Sequence, residues 1–138
     1  VYRGKETKAL YTTGIYDLLK IYNHAVGENV LAATVSGEWT DPVKDDLSFS
    51  ALATDSKDGL TLILVNREKV TKREVALSFR GRYDLTRSVT MTAPSIHSYN
   101  DENEKRIRVL DEVSTLKGIS SFVVPEKSIL VLYLKKTD

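Results

Sequence analysis

Cysteine is missing from all 138 residues, which rules out disulfides, zinc–thiolate centres and a cysteine nucleophile. A basic excess is missing too. Lys plus Arg come to 20 and Asp plus Glu to 19, a formal net charge of +1, whereas a dedicated nucleic-acid binder carries a clear positive surplus. No basic stretch is interleaved with aromatics, and no apolar run reaches the length that spans a bilayer. Neither a nucleic-acid nor a membrane partner is therefore expected. The opening residues, Val1-Tyr2-Arg3-Gly4-Lys5, are polar and do not read as a signal peptide. With no initial Met, the chain reads as a processed product or a domain cut from a longer protein, and the order of its elements favours the second.

The usual signatures of catalysis are also absent. His24 and His97 are the only histidines, and neither has a metal-ligand or His–carboxylate spacing, so no metal is expected. There is no G-x-S-x-G elbow, no dinucleotide or phosphate-binding glycine motif and no N-x-[ST] sequon. No cofactor is implied. Glycosidases need two carboxylates a few ångströms apart. The densest acidic groups here are Asp45-Asp46 and the set Asp101, Glu102, Glu104, which read as solvated turns. No catalytic residue is assigned.

What the chain does have is strands. Leu60–Asn66 is apolar on both faces, with Leu60, Leu62 and Leu64 on one and Ile63 and Val65 on the other, the pattern of a strand buried on both sides. Leu47–Thr54 precedes it across Ser56-Lys57-Asp58-Gly59, a turn in which Gly59 is expected to supply a positive φ; the two form a hairpin. Ser128–Leu134 is again apolar on both faces and should be central. Val30–Val35, Lys72–Phe79, Ser88–Thr92, a short edge strand at Ile107 and Val109, and Ile119–Val124 complete the set. Short strands with regular turn signals indicate a mainly β fold, an antiparallel β-sandwich of jelly-roll or Greek-key type.

One amphipathic helix precedes them, expected over Leu10–Val26, with Thr12 or Thr13 as N-cap and Gly27 as the residue that ends it. Ile15, Leu18, Leu19, Tyr22 and Val26 form its apolar stripe. The chain thus divides into a leading segment and helix, 1–27, and a sandwich, 28–138. A stripe of that width implies a partner surface, either another domain or a second copy meeting it at Ile15, Leu18, Leu19 and Tyr22. Two loop aromatics, Trp39 and Tyr99, are candidate carbohydrate-binding platforms that could stack on a sugar ring; roofing the sandwich is the simpler expectation for both.

The order of these pieces resembles the C-terminal part of the α-L-arabinofuranosidase family of retaining glycoside hydrolases (family 51). The resemblance lies in the helix ending Tyr22-Asn23-His24-Ala25-Val26-Gly27, in Asn66-Arg67 at the end of a central strand, in Asn100, Glu102 and Asn103 before the last strands, and in Pro125 and Ser128 ahead of the final one. Glu104 stands where the family usually has Pro. The resemblance implies a non-catalytic sandwich supporting a (β/α)8 catalytic barrel whose catalytic glutamates lie upstream of this chain. The competing expectation is a free-standing carbohydrate-binding module that uses Trp39 and Tyr99 on a polysaccharide.

Overall fold

The computed structural model describes residues 2–3, 10–36, 40–41, 46–95 and 97–137. Its elements in chain order are β1 (Tyr2–Arg3), β2 (Leu10–Tyr11), α1 (Gly14–Ala25), β3 (Val30–Leu31), β4 (Thr40–Asp41), β5 (Asp46–Leu47), β6 (Phe49–Ser56), β7 (Gly59–Asn66), β8 (Arg73–Ala76), β9 (Arg82–Thr92), β10 (Arg108–Leu116), β11 (Ser121–Val124) and β12 (Ser128–Thr137). The fold is an antiparallel β-sandwich preceded by one helix.

The two doubly apolar strands lie side by side at its centre. β7 and β12 pair antiparallel with Leu64 opposite Leu130, Ile63 opposite Val131 and Leu62 opposite Leu132. Around them the main sheet runs β10-β9-β12-β7-β6-β3, all antiparallel. The alternation of side chains sends Leu60, Leu62, Leu64, Leu130, Leu132 and Leu134 to one face, where Val75 of β8 and Phe122 of β11 close over them as a two-stranded second layer. The opposite face presents Ile63, Val89 and Val131 to Ala25, Ile21 and Tyr22 of α1. Each fully buried Leu or Ile contributes about 1.5–3 kcal/mol, so both faces of these strands stabilise the fold. Twice the chain leaves the main sheet for the second layer and returns: β7 to β8 to β9, and β10 to β11 to β12.

β9 is longer than its apolar pattern indicated, because a β-bulge hides the first half. Tyr133 lies opposite Arg87 and Leu134 opposite Leu85, leaving Thr86 over. Its hydroxyl donates to the Tyr133 carbonyl at 3.0 Å. One extra residue exchanges the faces of a strand. Leu85 therefore joins the core beneath β8 and β11, while Val89 joins the core beneath the helix. Arg87 lands on the helix side, with its guanidinium 5.1 Å from the Tyr133 ring centroid and two hydrogen bonds of 2.8 and 2.6 Å to Asp111.

Several expectations are corrected. The helix begins at Gly14, not Leu10: Leu10–Tyr11 pairs with Tyr2–Arg3 instead. Thr13 caps it by accepting from the Tyr16 amide at 3.3 Å. Among the described residues the glycines with positive φ are Gly81 and Gly118, so Gly27 and Gly59 are not of that kind. Gly27 and Gly59 are needed for close backbone approach. A Cβ on Gly27 would stand 1.9 Å from the Asp55 carbonyl oxygen, and one on Gly59 would stand 2.0 Å from that of Leu134. The helix thus ends where it meets β6: the Gly27 amide donates to Thr54 Oγ1 at 3.0 Å. Asn29 donates to the Asp55 carboxylate through its amide at 3.0 Å and its side chain at 2.6 Å. Those bonds, the side-chain one first, hold the Asp55 carboxyl below the usual carboxylate range. The edge strand near Ile107 is also longer than expected, nine residues from Arg108 to Leu116.

The apolar stripe of α1 is divided. Tyr22, with Ile21 and Ala25, turns onto the sheet. Ile15 and Leu19 remain 71% and 64% exposed, and Tyr16 and Val26 are exposed beside them.

Candidate functional site

Of the two candidate aromatic platforms, Trp39 lies outside the described residues. Tyr99 does not roof the sandwich. It is 63% exposed and stands on the connection from β9 to β10, a loop braced by many side-chain hydrogen bonds.

The bracing starts from side chains that imitate backbone. The Ser98 hydroxyl accepts from the Ser95 amide at 3.1 Å, and the Ser98 amide donates to the Ser95 carbonyl at 3.1 Å. Asn100 is buried. Its Oδ1 accepts from the Ile107 amide at 2.8 Å, and its Nδ2 donates to the carbonyls of Ile107 and Thr12, each at 3.4 Å. Asp101 Oδ1 accepts from the amides of Asn103 at 2.9 Å and Glu104 at 2.8 Å, an Asx turn. Arg106 then closes the loop on itself. It donates to Asp101 Oδ2 at 3.1 Å and to the Tyr99 carbonyl at 3.3 Å, and pairs with Glu104 at 2.9 Å. Its guanidinium sits 5.3 Å from the Tyr99 ring centroid, a cation–π distance.

The loop is also tied to the helix. Lys105 Nζ lies 3.7 Å from Asp17 Oδ2. Gly14 leaves room for Ile107, whose Cδ1 would be 2.5 Å from a Cβ there. Backbone hydrogen bonds from Asn103 and Glu104, then the bond from Arg106, lower the Asp101 carboxyl below its ordinary range; that bond in turn raises the Arg106 guanidinium.

This arrangement holds one aromatic ring at a fixed place with a polar rim. It can offer a stacking surface to an apolar sugar face or a contact to a neighbouring domain. It is poorly suited to acid–base chemistry, because Asp101 and Glu104 are both committed to Arg106. Asp45 lies outside the described residues. Among the described residues no group of His, Asp and Glu is arranged to hold a metal, and His24 and His97 are each exposed on their own.

Three of the residues that carried the family resemblance prove to be structural. Asn66 is buried; its Nδ2 donates to the carbonyls of Thr71 at 3.0 Å and Val124 at 3.2 Å, and its Oδ1 accepts from the Glu68 amide at 3.1 Å. The Ser128 hydroxyl donates to the Pro125 carbonyl at 2.6 Å, fixing a turn in which Lys127 has a φ of 49°. Asn100 clamps the loop to the helix. Sequence reasoning missed Arg106 altogether. The signal available was the spacing Asp101, Asn103, Glu104, which suits an Asx turn and leaves a carboxylate oxygen for a nearby cation.

A search of protein-family models and of curated proteins returns no match. The class is set by the fold, a helix-capped antiparallel β-sandwich. Solved structures that share it include parts of arabinofuranosidases. The α-L-arabinofuranosidase of Thermotoga maritima, solved with arabinose, is 20% identical with a TM-score of 0.79; the match covers 96% of this chain and 31% of that one. The GH51 α-L-arabinofuranosidase of Thermotoga petrophila RKU-1 is 19% identical at 0.72, covering 92% and 30%. A further arabinofuranosidase is 20% identical at 0.76, covering 94% and 30%. At these identities the fold is what is shared. The chain spans about 30% of the length of these enzymes.

Proposed function

We propose that the chain is a non-catalytic C-terminal accessory domain of a glycoside hydrolase resembling α-L-arabinofuranosidase, packed against a (β/α)8 catalytic barrel that this chain does not contain. The observation that carries the reading is the lopsided coverage: nearly all of this chain matches under a third of each enzyme. The twofold departure of the main strand path into β8 and β11 agrees with jelly-roll winding. The division into 1–27 and 28–138 belongs to the same reading, with α1 as the connector to the barrel. Ile15 and Leu19 support it, since a helix with one side on its own sheet and exposed apolar residues besides is built to lie between two bodies.

Two measurements test this. The isolated chain should hydrolyse no aryl arabinofuranoside, xyloside or glucoside. Turnover that vanished on replacing a single Asp or Glu would overturn the reading. Ile15→Glu with Leu19→Glu should leave the melting of the isolated chain unchanged but lower that of the barrel-bearing enzyme; equal effects on both would also overturn it.

The second reading, a carbohydrate-binding module, draws on the braced and exposed Tyr99, with Trp39 as a further platform. Titration with arabinan, xylan and cello-oligosaccharides, before and after Tyr99→Ala, separates the two readings. A helix-to-helix homodimer through Ile15, Leu18, Leu19 and Tyr22 is the weaker use of the stripe, because Tyr22 is occupied with its own sheet.

A further inference from the structure

β10 ends the main sheet, and its outer edge pairs with nothing among the described residues. Natural sheets defend such an edge with charged side chains, Lys above all, with Pro, with a bulge or by brevity. β10 is nine residues long, RVLDEVSTL, with neither Lys nor Pro. Its apolar side chains stand away from the core: Val113 is 88% exposed and Leu110 57%. The regular register with β9 runs from Arg108 to Val113 and is broken before Leu116. The stretch open to another strand is therefore bounded by that bulge at one end and by the braced loop, which closes at Ile107, at the other.

The residues within that stretch are self-complementary. A two-fold axis through Leu110 and normal to the sheet would set Leu110 against its own copy, Arg108 against Glu112, and Ile107 against Val113. Directly opposed residues share a face, and opposite charges there attract. Neighbouring registers are worse. An axis at Asp111 or at Glu112 opposes a carboxylate to itself. An axis at Val109 opposes Glu112 to Arg106, which is already held by Asp101 and Glu104. In the Leu110 register Asp111 meets Val109, and its charge is answered within its own chain by Arg87.

We propose that β10 is a self-association edge: two copies pair β10 to β10, antiparallel about Leu110, and the main sheet continues from one chain into the other. The inference rests on β10 alone and stands apart from the accessory-domain reading.

Because the chain has no cysteine, a single introduced thiol reports the geometry. Leu110→Cys puts two thiols across the axis, where opposed Cα atoms of about 4.5–5.5 Å separation suit a disulfide. The 138-residue chain should sediment as a concentration-dependent dimer, twice the monomer mass at the upper end. L110C should cross-link under mild oxidation, and V113C, at a more exposed position, should not. Arg108→Glu or Glu112→Arg alone should return the chain to monomer, and the two together should restore the dimer; circular dichroism checks that each variant is folded. A chain that stays monomeric up to its solubility limit overturns the proposal. So does a dimer that V113C captures as readily as L110C. A dimer indifferent to R108E but dissolved by Leu19→Glu overturns it as well, by putting the contact on α1.

Discussion

Replacing Asn66 by Asp changes one atom of consequence. Its Nδ2 donates to the carbonyls of Thr71 at 3.0 Å and Val124 at 3.2 Å; in the variant an oxygen stands there and faces two other oxygens. Asn66→Ala sets the scale. It removes three hydrogen bonds, each worth about 0.5–1.5 kcal/mol net, so a loss of about 3 kcal/mol is expected. Asn66→Asp should match or exceed that at neutral pH, since the charge is unpaired as well as buried. It should also bring a pH dependence that Ala lacks. Burial and the two carbonyls favour the protonated acid, so the folded-state pKa is raised above the unfolded value of about 3.9. A raised folded pKa means that the protonated variant's stability is fully present below the unfolded value and is lost as pH rises through the folded one. Between the two, stability should fall by about 1.4 kcal/mol per pH unit. Urea unfolding followed by circular dichroism from pH 3.5 to 8, with the wild-type profile subtracted, measures this. A flat difference profile, or a loss below about 1 kcal/mol for Asn66→Ala, would refute the brace.

Leu64→Ala and Leu132→Ala, at positions 1% and 0% exposed, should each cost about 2–5 kcal/mol in chemical denaturation; losses under about 1 kcal/mol for both would displace the core. Gly59→Ala drives a Cβ to 2.0 Å from the Leu134 carbonyl oxygen, so β7 and β12 must separate locally and the cost should be about 1–3 kcal/mol or more; an unchanged melting temperature would contradict the close approach. Arg87 holds the Asp111 carboxyl below its ordinary value. The contribution of that pair is therefore present at neutral pH and is lost as pH falls through the lowered value. With both side chains nearly half exposed, it should stay below about 1 kcal/mol. Asp111→Asn should reproduce the loss at pH 7 and make no difference in strong acid.

How legible each element was follows from how local its cause is. The centre was readable because β7 and β12 carry Leu on one face and Ile or Val on the other, which only a doubly covered strand tolerates. The first half of β9 was not readable, because the bulge at Thr86 breaks the alternation on which strand reading depends. Gly27 and Gly59 invite a turn or cap interpretation, yet their need for a missing Cβ comes from Asp55 and Leu134, remote in sequence. The helix start was overextended because Leu10 and Tyr11 continue its apolar character while their backbone pairs with Tyr2–Arg3. At the candidate site Tyr99 was visible as a loop aromatic. Its support was not, since Asn100 sits in a polar run and is buried only because Thr12 and Ile107 converge on it.

The spare residue at Thr86 makes β9 a strand that answers to two interiors, and so gives the fold a reading frame. Loops of this chain can gain or lose a residue and leave the layers where they are. Between Arg82 and Thr92 they cannot. A deletion at Thr86 would make the ladder with β12 regular, yet it would turn Tyr83 and Leu85 toward the helix and leave the core beneath β8 and β11 without them. Between β9 and β12 the error would cost no backbone bond; it would show there as apolar residues on the wrong side of a regular ladder.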